Sequence, residues 1–506
     1  MTSAEHGGAA RVDAILARAA LTQPLRACVV QGRQSWTYAE VHERACRLAG
    51  ALAALGVRKG DRVALWTTNR PEFVEVFFGV PMLGAIAAPL DFWWNWQDAH
   101  GALAQIRPQV LIVGAAQALV AAQSRAAIKA AGIEHVLCLD EPSVNSELDS
   151  YADLLAAASP LTRPISVVPS DPAVILFTSG STGRSKGAVH THRSLTESAM
   201  IMALELQLQD GERTLHFLPM FSSCLEHLLP LTLVRATHVI LPQFEARAVW
   251  DTIRDAQITH CDAVPTTLRR LLEVAPAEIP KSLRMISYAS ERMPEQLISA
   301  LIERMPAVDF IQFYGMIEQL CLTVLEAKDQ LRKLGTVGRA MFGAQMYLLN
   351  GEIVARSPTL FAGYWQDDAA TAQVMSEHWM RTGDLGSFDS EGFLRLEGRV
   401  KEIIKSGGMT VVPTEVERAL LEHPQVSDVA VVGVPDTQWG EAVHAFVILE
   451  PGAAVEPAEL KAFCQERLVG YKRPKAIHIV AELPRTGIGK VSRRVVRDGA
   501  LASGSN

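Results

Sequence analysis

Four short apolar runs recur along the first half of this chain: VLIV at 110–113, HVLCL at 135–139, AVILF at 173–177 and HVILP at 238–242. Segments with helical apolar spacing lie between such runs. The clearest is TYAEVHERACRLAGALAALGVRK at 37–59, which turns at Gly60-Asp61 into the strand-like RVALW. Strands written as continuous apolar runs are buried on both faces, and strands that alternate with helices build parallel sheets. The chain is therefore expected to be α/β with mostly parallel sheets, and its 506 residues exceed what a single core supports. After about residue 340 the texture changes to short strands and turns, in LLNGEIVARSP, FLRLEGRVKEIIKSGG and DVAVVGVPD. A small α+β unit is expected there. Residues 387–399 read as a hairpin closing the larger unit, so the predicted divisions are a large N-terminal domain at 1–397, a connection at 398–401 and a small C-terminal domain at 402–506. No internal repeat or low-complexity segment stands out.

Charge narrows the function. Lys and Arg number 48 against 55 Asp and Glu, a net charge of −7 with no dense basic tract, which argues against nucleic acid as a partner. Any anionic ligand must be held by local charges. The seven cysteines (28, 46, 138, 224, 261, 321 and 464) are scattered with no C-x-x-C pair, the usage of reduced thiols packed as small core residues. The opening MTSAEHGGAARVDA has no signal-peptide apolar region, and the longest apolar run, 76–90, is broken by Gly and Pro and is too short to span a bilayer. A soluble cytoplasmic protein without a membrane span is expected. The sequence leaves the oligomeric state open, a homodimer included.

The stretch FTSGSTGRSKG at 177–187 carries three glycines, five hydroxyl residues and two cations directly after the AVILF strand. Glycines allow close backbone approach to an anion, while Thr178, Ser179, Ser181, Thr182 and Ser185 offer hydroxyls and Lys186 a mobile charge. A strand running into such a loop is a usual phosphate position in α/β proteins. The pattern is not G-x-x-x-x-G-K-[ST], because Ser185 precedes Lys186 and Gly187 follows it. A surface linker has a similar composition, so this stretch alone leaves both readings open.

Four further stretches carry candidate chemistry: YGMIE at 314–318 after the strand-like FIQF, TGDLG at 382–386, GRVKEIIKSGG at 398–408 and PRTGIGK at 484–490. Together with the Gly-rich loop they resemble, in order and spacing, the adenylate-forming enzyme superfamily of acyl-CoA synthetases, nonribosomal-peptide adenylation domains and luciferases. The resemblance spans roughly residues 35–495 and is closest to carboxylate–CoA ligases. It implies ATP, Mg²⁺ and coenzyme A as reactants and a small-molecule carboxylic acid as substrate. It places Thr178, Ser179, Gly180, Ser181, Thr182, Gly183 and Lys186 on the β- and γ-phosphates, Glu318 with Thr178 on Mg²⁺, and Tyr314 against adenine. Gly315, Gln312, Ser290 and Glu291 would complete the nucleotide site. Asp384, with Arg399 beside it, would accept from the ribose hydroxyls, and Lys490 would bridge the substrate carboxylate and the α-phosphate.

The resemblance also implies that the C-terminal domain is mobile and swings about Lys401 after adenylation, with Ser406-Gly407-Gly408 lining the tunnel for the thiol. The cations of Tyr471-Lys472-Arg473-Pro474 could meet the coenzyme's phosphates or be a solvated basic turn. The acid pocket maps to Phe221, Ser222, Ser223, Cys224, Tyr288 and Ala289, and its small residues favour a bulky aryl, fatty or polycyclic acid.

The chain departs from the family pattern in several places. Ile317 stands where the family has Thr, a hydrogen bond worth about 1–3 kcal/mol if lost against a charged partner. Ser222 replaces a frequent His, and YASERMP at 288–294 replaces a glycine-rich floor. DFWWNWQDAH at 91–100 reads first as core packing and second as a pocket wall, and MYLLNGEIVARSP reads as a trimmed hairpin. A carboxylate–CoA ligase is the expected function. A stand-alone adenylation enzyme that loads a carrier-protein pantetheine and a non-catalytic nucleotide-binding protein are the alternatives.

Overall fold

The computed structural model describes residues 11–140, 148–178, 185–223, 227–485 and 491–503. The chain forms two compact units, one of Met1–Gln345 with Arg356–His378 and the other of Met346–Ala355 with Trp379–Asn506.

The larger unit holds two sheets. In the first, eight strands among the described residues run in the order Gly363–Tyr364, Lys186–Thr191, Pro172–Thr178, Ile86–Pro89, Arg62–Trp66, Val110–Val113, His135–Cys138 and Asp149–Ser150. The Pro172–Thr178 strand and those after it are parallel, while Lys186–Thr191 and Gly363–Tyr364 add antiparallel at one edge. Every residue of the Val110–Val113 and Ile86–Pro89 strands is buried, as continuous apolar runs require. The second sheet centres on parallel strands in the order Asp309–Met316, Met285–Tyr288, His260–Ala263, Arg213–His216, Thr237–Ile240 and Ala27–Gln31.

The helix expected over 37–59 is Tyr38–Ala54. Thr37 and Glu40 form a capping box at its start, and Gly56, at φ +89°, turns the chain out of it. Among the described residues no helix is long and apolar enough to cross a membrane.

The smaller unit is α+β. One sheet pairs Glu352–Arg356, Trp379–Phe388 and Leu394–Arg399 antiparallel. The other carries Met409–Val411, Ile404–Ser406, Gly440–Leu449 and Val426–Asp436, backed by helices Pro413–Leu421 and Pro457–Arg467 over a core of Val416, Leu420, Val431 and Val443. The trimmed 345–356 hairpin turns at Asn350-Gly351, both with positive φ, the conformation of a two-residue hairpin turn.

The 387–399 hairpin forms, but it packs against residues 412–414 of the smaller unit. Thr414 donates to the Glu397 carbonyl, and a Cβ on Gly398 would stand 2.6 Å from Val412 Cγ1. Compactness therefore groups residues 379–397 with the smaller unit.

Candidate active site

The strands Pro172–Thr178 and Lys186–Thr191 form an antiparallel pair in which Thr178 is the register partner of Lys186. Partners in an antiparallel pair share a face, so the Thr178 hydroxyl and the Lys186 ammonium leave the sheet side by side. Ser179, Gly180, Ser181, Thr182 and Gly183 lie outside the described residues. Gly187 is required sterically, since a Cβ there would meet Ile175 Cγ2 at 2.8 Å, and its carbonyl accepts from Trp365 N–H at 2.7 Å.

That last bond brings in a residue no sequence signal singled out. Tyr364 donates its hydroxyl to Glu318 Oε1 at 2.7 Å, and Lys186 Nζ sits 4.8 Å over its ring. Burial, with Glu318 adding to it, pushes the Tyr364 hydroxyl well above its ordinary pKa, so it stays a donor. One aromatic side chain thus ties the expected phosphate cation to the expected metal-binding carboxylate. Glu318 is half-buried, and its backbone carbonyl accepts from Phe361 N–H at 2.8 Å.

Glu318 sits in the turn between strands Asp309–Met316 and Leu320–Leu325. The turn is close: a Cβ on Gly315 would lie 1.6 Å from the Leu320 carbonyl oxygen. His190 holds the turn by donating Nε2–H to the Ile317 carbonyl at 2.6 Å, and burial depresses its pKa to about 4, so it is neutral. The Ile317 side chain packs against the apolar core, the physical content of its departure from Thr. Tyr314 is buried in the strand that leads into this turn.

The acid-pocket candidates separate. Phe221, on the helical turn Met220–Ser223, meets Phe92 edge-on at 5.7 Å and Trp93 at 6.1 Å. Trp94 packs edge-on against Phe177 at 5.7 Å, and Trp94 and Trp96 lean on the first sheet's core. Core packing thus holds for Trp94 and Trp96, while Phe92 and Trp93 do have a partner among the pocket candidates, one far away in sequence. Ser222 spends its hydroxyl on the Pro219 carbonyl at 3.1 Å, and Cys224 lies outside the described residues. Tyr288 is fully buried in the core on the opposite sheet face from Ala289, donates to Gln330 Oε1 at 2.6 Å and has Gln312 as its register partner. Ser290 follows with φ +76°, and Glu291 accepts from Thr266 at 2.9 Å.

In the smaller unit, Asp384 and Arg399 are cross-strand partners, with Arg399 Nε 3.0 Å from Asp384 Oδ1. Thr382 accepts from Asp384 N–H at 3.1 Å, and Gly383 turns at φ +75°. Lys401 lies in the single turn Val400–Glu402. Gly407 and Gly408, both at positive φ, close the turn after buried Ser406, and Gly407 N–H donates to the Trp439 carbonyl at 2.7 Å. The cations of the 471–474 stretch turn inward: Lys472 pairs with Glu415 Oε2 at 2.7 Å, and Arg473 donates to the carbonyls of Leu468 and Gln465. Lys490, with 486–489, lies outside the described residues; just beyond it Arg493 is clasped by Glu402 and Glu417 at 2.7 and 2.8 Å.

The larger unit joins Lys186 to Glu318 through Tyr364, the smaller pairs Asp384 with Arg399, and the chain is an adenylate-forming enzyme. The chain belongs to the AMP-binding enzyme family: the AMP-binding enzyme model matches residues 16–365, and that of the AMP-binding enzyme C-terminal domain matches 415–490. It is 33% identical over 485 residues to a long-chain-fatty-acid–CoA ligase, FadD13, of Mycobacterium tuberculosis, covering 91% of this chain and 92% of the relative. It is 33% identical over 501 residues to a feruloyl-CoA synthase of an Amycolatopsis species, covering 95% and 97%. The anthranilate CoA ligase AuaEII, solved with anthranoyl-AMP, superposes with a TM-score of 0.89 at 27% identity over all of both chains.

Proposed function

We propose that the acid activated by this enzyme is bulky and hydrophobic, held between the Phe221 turn and the strand end at Ala289, with Phe92 and Trp93 as an aromatic wall. The enzyme is an ATP-dependent carboxylate–CoA ligase, an AMP-forming acid–thiol ligase. A carboxylate oxygen of the acid attacks the α-phosphorus of ATP, and the bond to pyrophosphate breaks. The thiol of coenzyme A then attacks the acyl carbon and AMP leaves.

The observation that carries the site is the trio Lys186–Tyr364–Glu318, in which one aromatic side chain touches both a cation and a carboxylate. Two anions must be neutralised and aligned before they react, and preorganised charges do this at least cost. Thr178, Lys186 and the loop 179–183 hold the β- and γ-phosphates in this reading. Glu318 and Thr178 are hard oxygen donors suited to Mg²⁺, which prefers one or two protein oxygens plus phosphate; bound there, the ion would offset phosphate charge. Tyr314 lies against adenine, Asp384 takes the ribose hydroxyls with Arg399 orienting it, and Lys490 offsets charge between carboxylate and α-phosphate. Lys401 is the hinge at 398–401, and Ser406–Gly408 lines the thiol path. The relatives named for a fatty acid and for ferulate frame the acid class, and a cytoplasmic location belongs to the same reading.

The test is pyrophosphate release from MgATP across a panel of aryl, fatty and polycyclic acids, with and without coenzyme A. Release stimulated by coenzyme A with bulky hydrophobic acids is expected. Acid-dependent release indifferent to coenzyme A would assign the thiol to a carrier protein. Nucleotide binding without release would make Ile317 the mark of a protein that binds and does not adenylate.

A further inference from the structure

The second sheet has one ordinary face and one that is not. Leu215, Val239, Cys261, Ile286 and Phe310 cover one side with an apolar core. The register places Thr214, His238 and His260 together on the other side, followed by Asp262 and Ser287. All five are almost fully buried, and so are His216 on the same face and His227.

Half of this polar layer is satisfied within itself. Thr232 donates to the Leu228 carbonyl at 2.7 Å, so at 3.1 Å it must accept from His238 Nε2–H. His238 Nδ1 is then an acceptor, filled by His216 Nε2–H at 2.9 Å. The other half is not satisfied. His260 reaches Ser287 Oγ at 3.0 Å through Nε2, and His227 turns Nε2 toward Asp262 Oδ2 at 3.6 Å. His227 Nδ1, His260 Nδ1, Asp262 Oδ1 and Thr214 Oγ1 are buried without a hydrogen-bond partner among the described residues. The His227 and His260 rings lie 5.8 Å apart, so these atoms form one patch. A buried polar atom without a partner is costly, and several in one place call for a group that would pair with them.

The patch runs from His260 and Thr214, early in their strands, to Asp262 and Ser287 near the C-terminal ends, the side on which open α/β sheets bind ligands. Ala289 shares its face two residues beyond Ser287, and His227 follows the Phe221 turn by six residues. Both lead back to the acid site, on whose assignment the inference rests. With Nε2 turned to Asp262, His227 offers Nδ1 as an acceptor, and Asp262 Oδ1 is an acceptor in its own right. We propose that Asp262 and His227, backed by His260, are specificity-determining residues at the far end of the acid pocket, and that they select an acid bearing a hydroxyl or N–H group remote from its carboxylate. A hydrocarbon end would leave these acceptors buried and unpaired, and an anionic end would be repelled by them. Burial holds the Asp262 carboxyl at a pKa of about 7, consistent with a site that gains from a donor.

The experiment compares 4-hydroxycinnamate with 4-methylcinnamate, close in size and differing in one donor, by kcat/KM for coenzyme A-dependent pyrophosphate release. Wild type is expected to prefer the hydroxylated acid by about a hundredfold, a modest value for sites built around a substrate hydroxyl. In Asp262→Leu and, independently, His227→Phe the ratio is expected to fall toward unity, with thermal midpoints reporting that each variant folds. An unchanged ratio in either folded variant overturns the inference. So does a wild-type ratio near one, the outcome if the patch holds only water. Release with saturated fatty acids but neither cinnamate overturns the inference and leaves the ligase reading standing; release with no acid at all removes both.

Discussion

Tyr364 shows what single residues contribute that no motif announces. Its hydroxyl serves Glu318 and its ring serves Lys186, so the two functions can be separated by substitution. Tyr364→Phe keeps the ring beneath the ammonium and removes only the bond to the carboxylate. Hydrogen bonds to charged groups are worth about 1.5–3 kcal/mol, so kcat/KM for MgATP is expected to drop about ten- to a hundredfold. A residue that merely packs would lower activity at every Mg²⁺ concentration alike. A positioning residue should instead raise the Mg²⁺ concentration needed for half-maximal nucleotide binding, read by calorimetry. Unchanged Mg²⁺ dependence in the Phe variant would remove Tyr364 from this role. Of the candidate site, the sequence carried what the local motifs reached: Arg399 does stand beside Asp384, whereas Lys186 and Glu318 are joined only through Tyr364. Tyr364 was not legible, because its partners lie 46 and 178 positions away and only the sheet brings them together. The same holds for Phe92 and Trp93, whose partner is Phe221.

At the scale of elements, the strands that could be read were those buried on both faces by apolar side chains. VLIV and RVALW form at the expected residues, and AVILF extends by one residue at each end. The strand HCDA at 260–263 could not be read, since His and Asp dominate it and its polar face is buried rather than solvated. Tyr288 illustrates a different limit: its motif was readable, but the period-two alternation of a strand turns it away from Ala289 into the opposite core. The hairpin that carries Glu318 yields a direct test of element geometry. Gly315 has no left-handed φ, so its constraint is space alone, a Leu320 oxygen 1.6 Å from where a Cβ would be. Gly315→Ala must pry the hairpin open, which is expected to cost about 3 kcal/mol and to weaken MgATP binding with it. Gly132 is the control in the same unit, with φ +80° and nothing within 4 Å, so Gly132→Ala pays only a left-handed cost of about 1 kcal/mol. Equal losses in urea unfolding would mean that the close approach at Gly315 does not govern the hairpin.

Across the whole molecule, two units were readable from the change in texture, and Thr414 and Val412 packing back on the 394–399 strand groups that strand with the smaller one. The units also differ in how they should meet acid. His190, His192, His216, His227, His238 and His260 are all buried in the larger unit, and burial lowers every one, to about 4 for His190 and His192 and about 3 for His216 and His227. The folded state keeps them neutral while the unfolded chain, near pKa 6.5, binds protons. Their stability contribution is therefore complete above about pH 6.5 and is lost as pH falls toward 3–4. Asp262 acts with the opposite sign: held at about 7 when folded, it binds a proton the unfolded chain releases, and it offsets part of the loss. Asp13, Glu75 and Asp91, also raised by burial, share the sign of Asp262, and the six histidines outnumber these carboxyls, so a net loss is expected between pH 7.5 and 5.5. The smaller unit has no such set among its described residues: His423 alone is buried, His444 is half-buried and His478 is exposed. Seven of the nine tryptophans lie in the larger unit, so fluorescence reports mainly on it. The urea midpoint seen by tryptophan fluorescence should fall steeply from pH 7.5 to 5.5, well before carboxylates titrate. A midpoint that stays level across that interval would mean the buried histidines gain protons without opening the fold, and that the polar layer admits enough water to hold their charge.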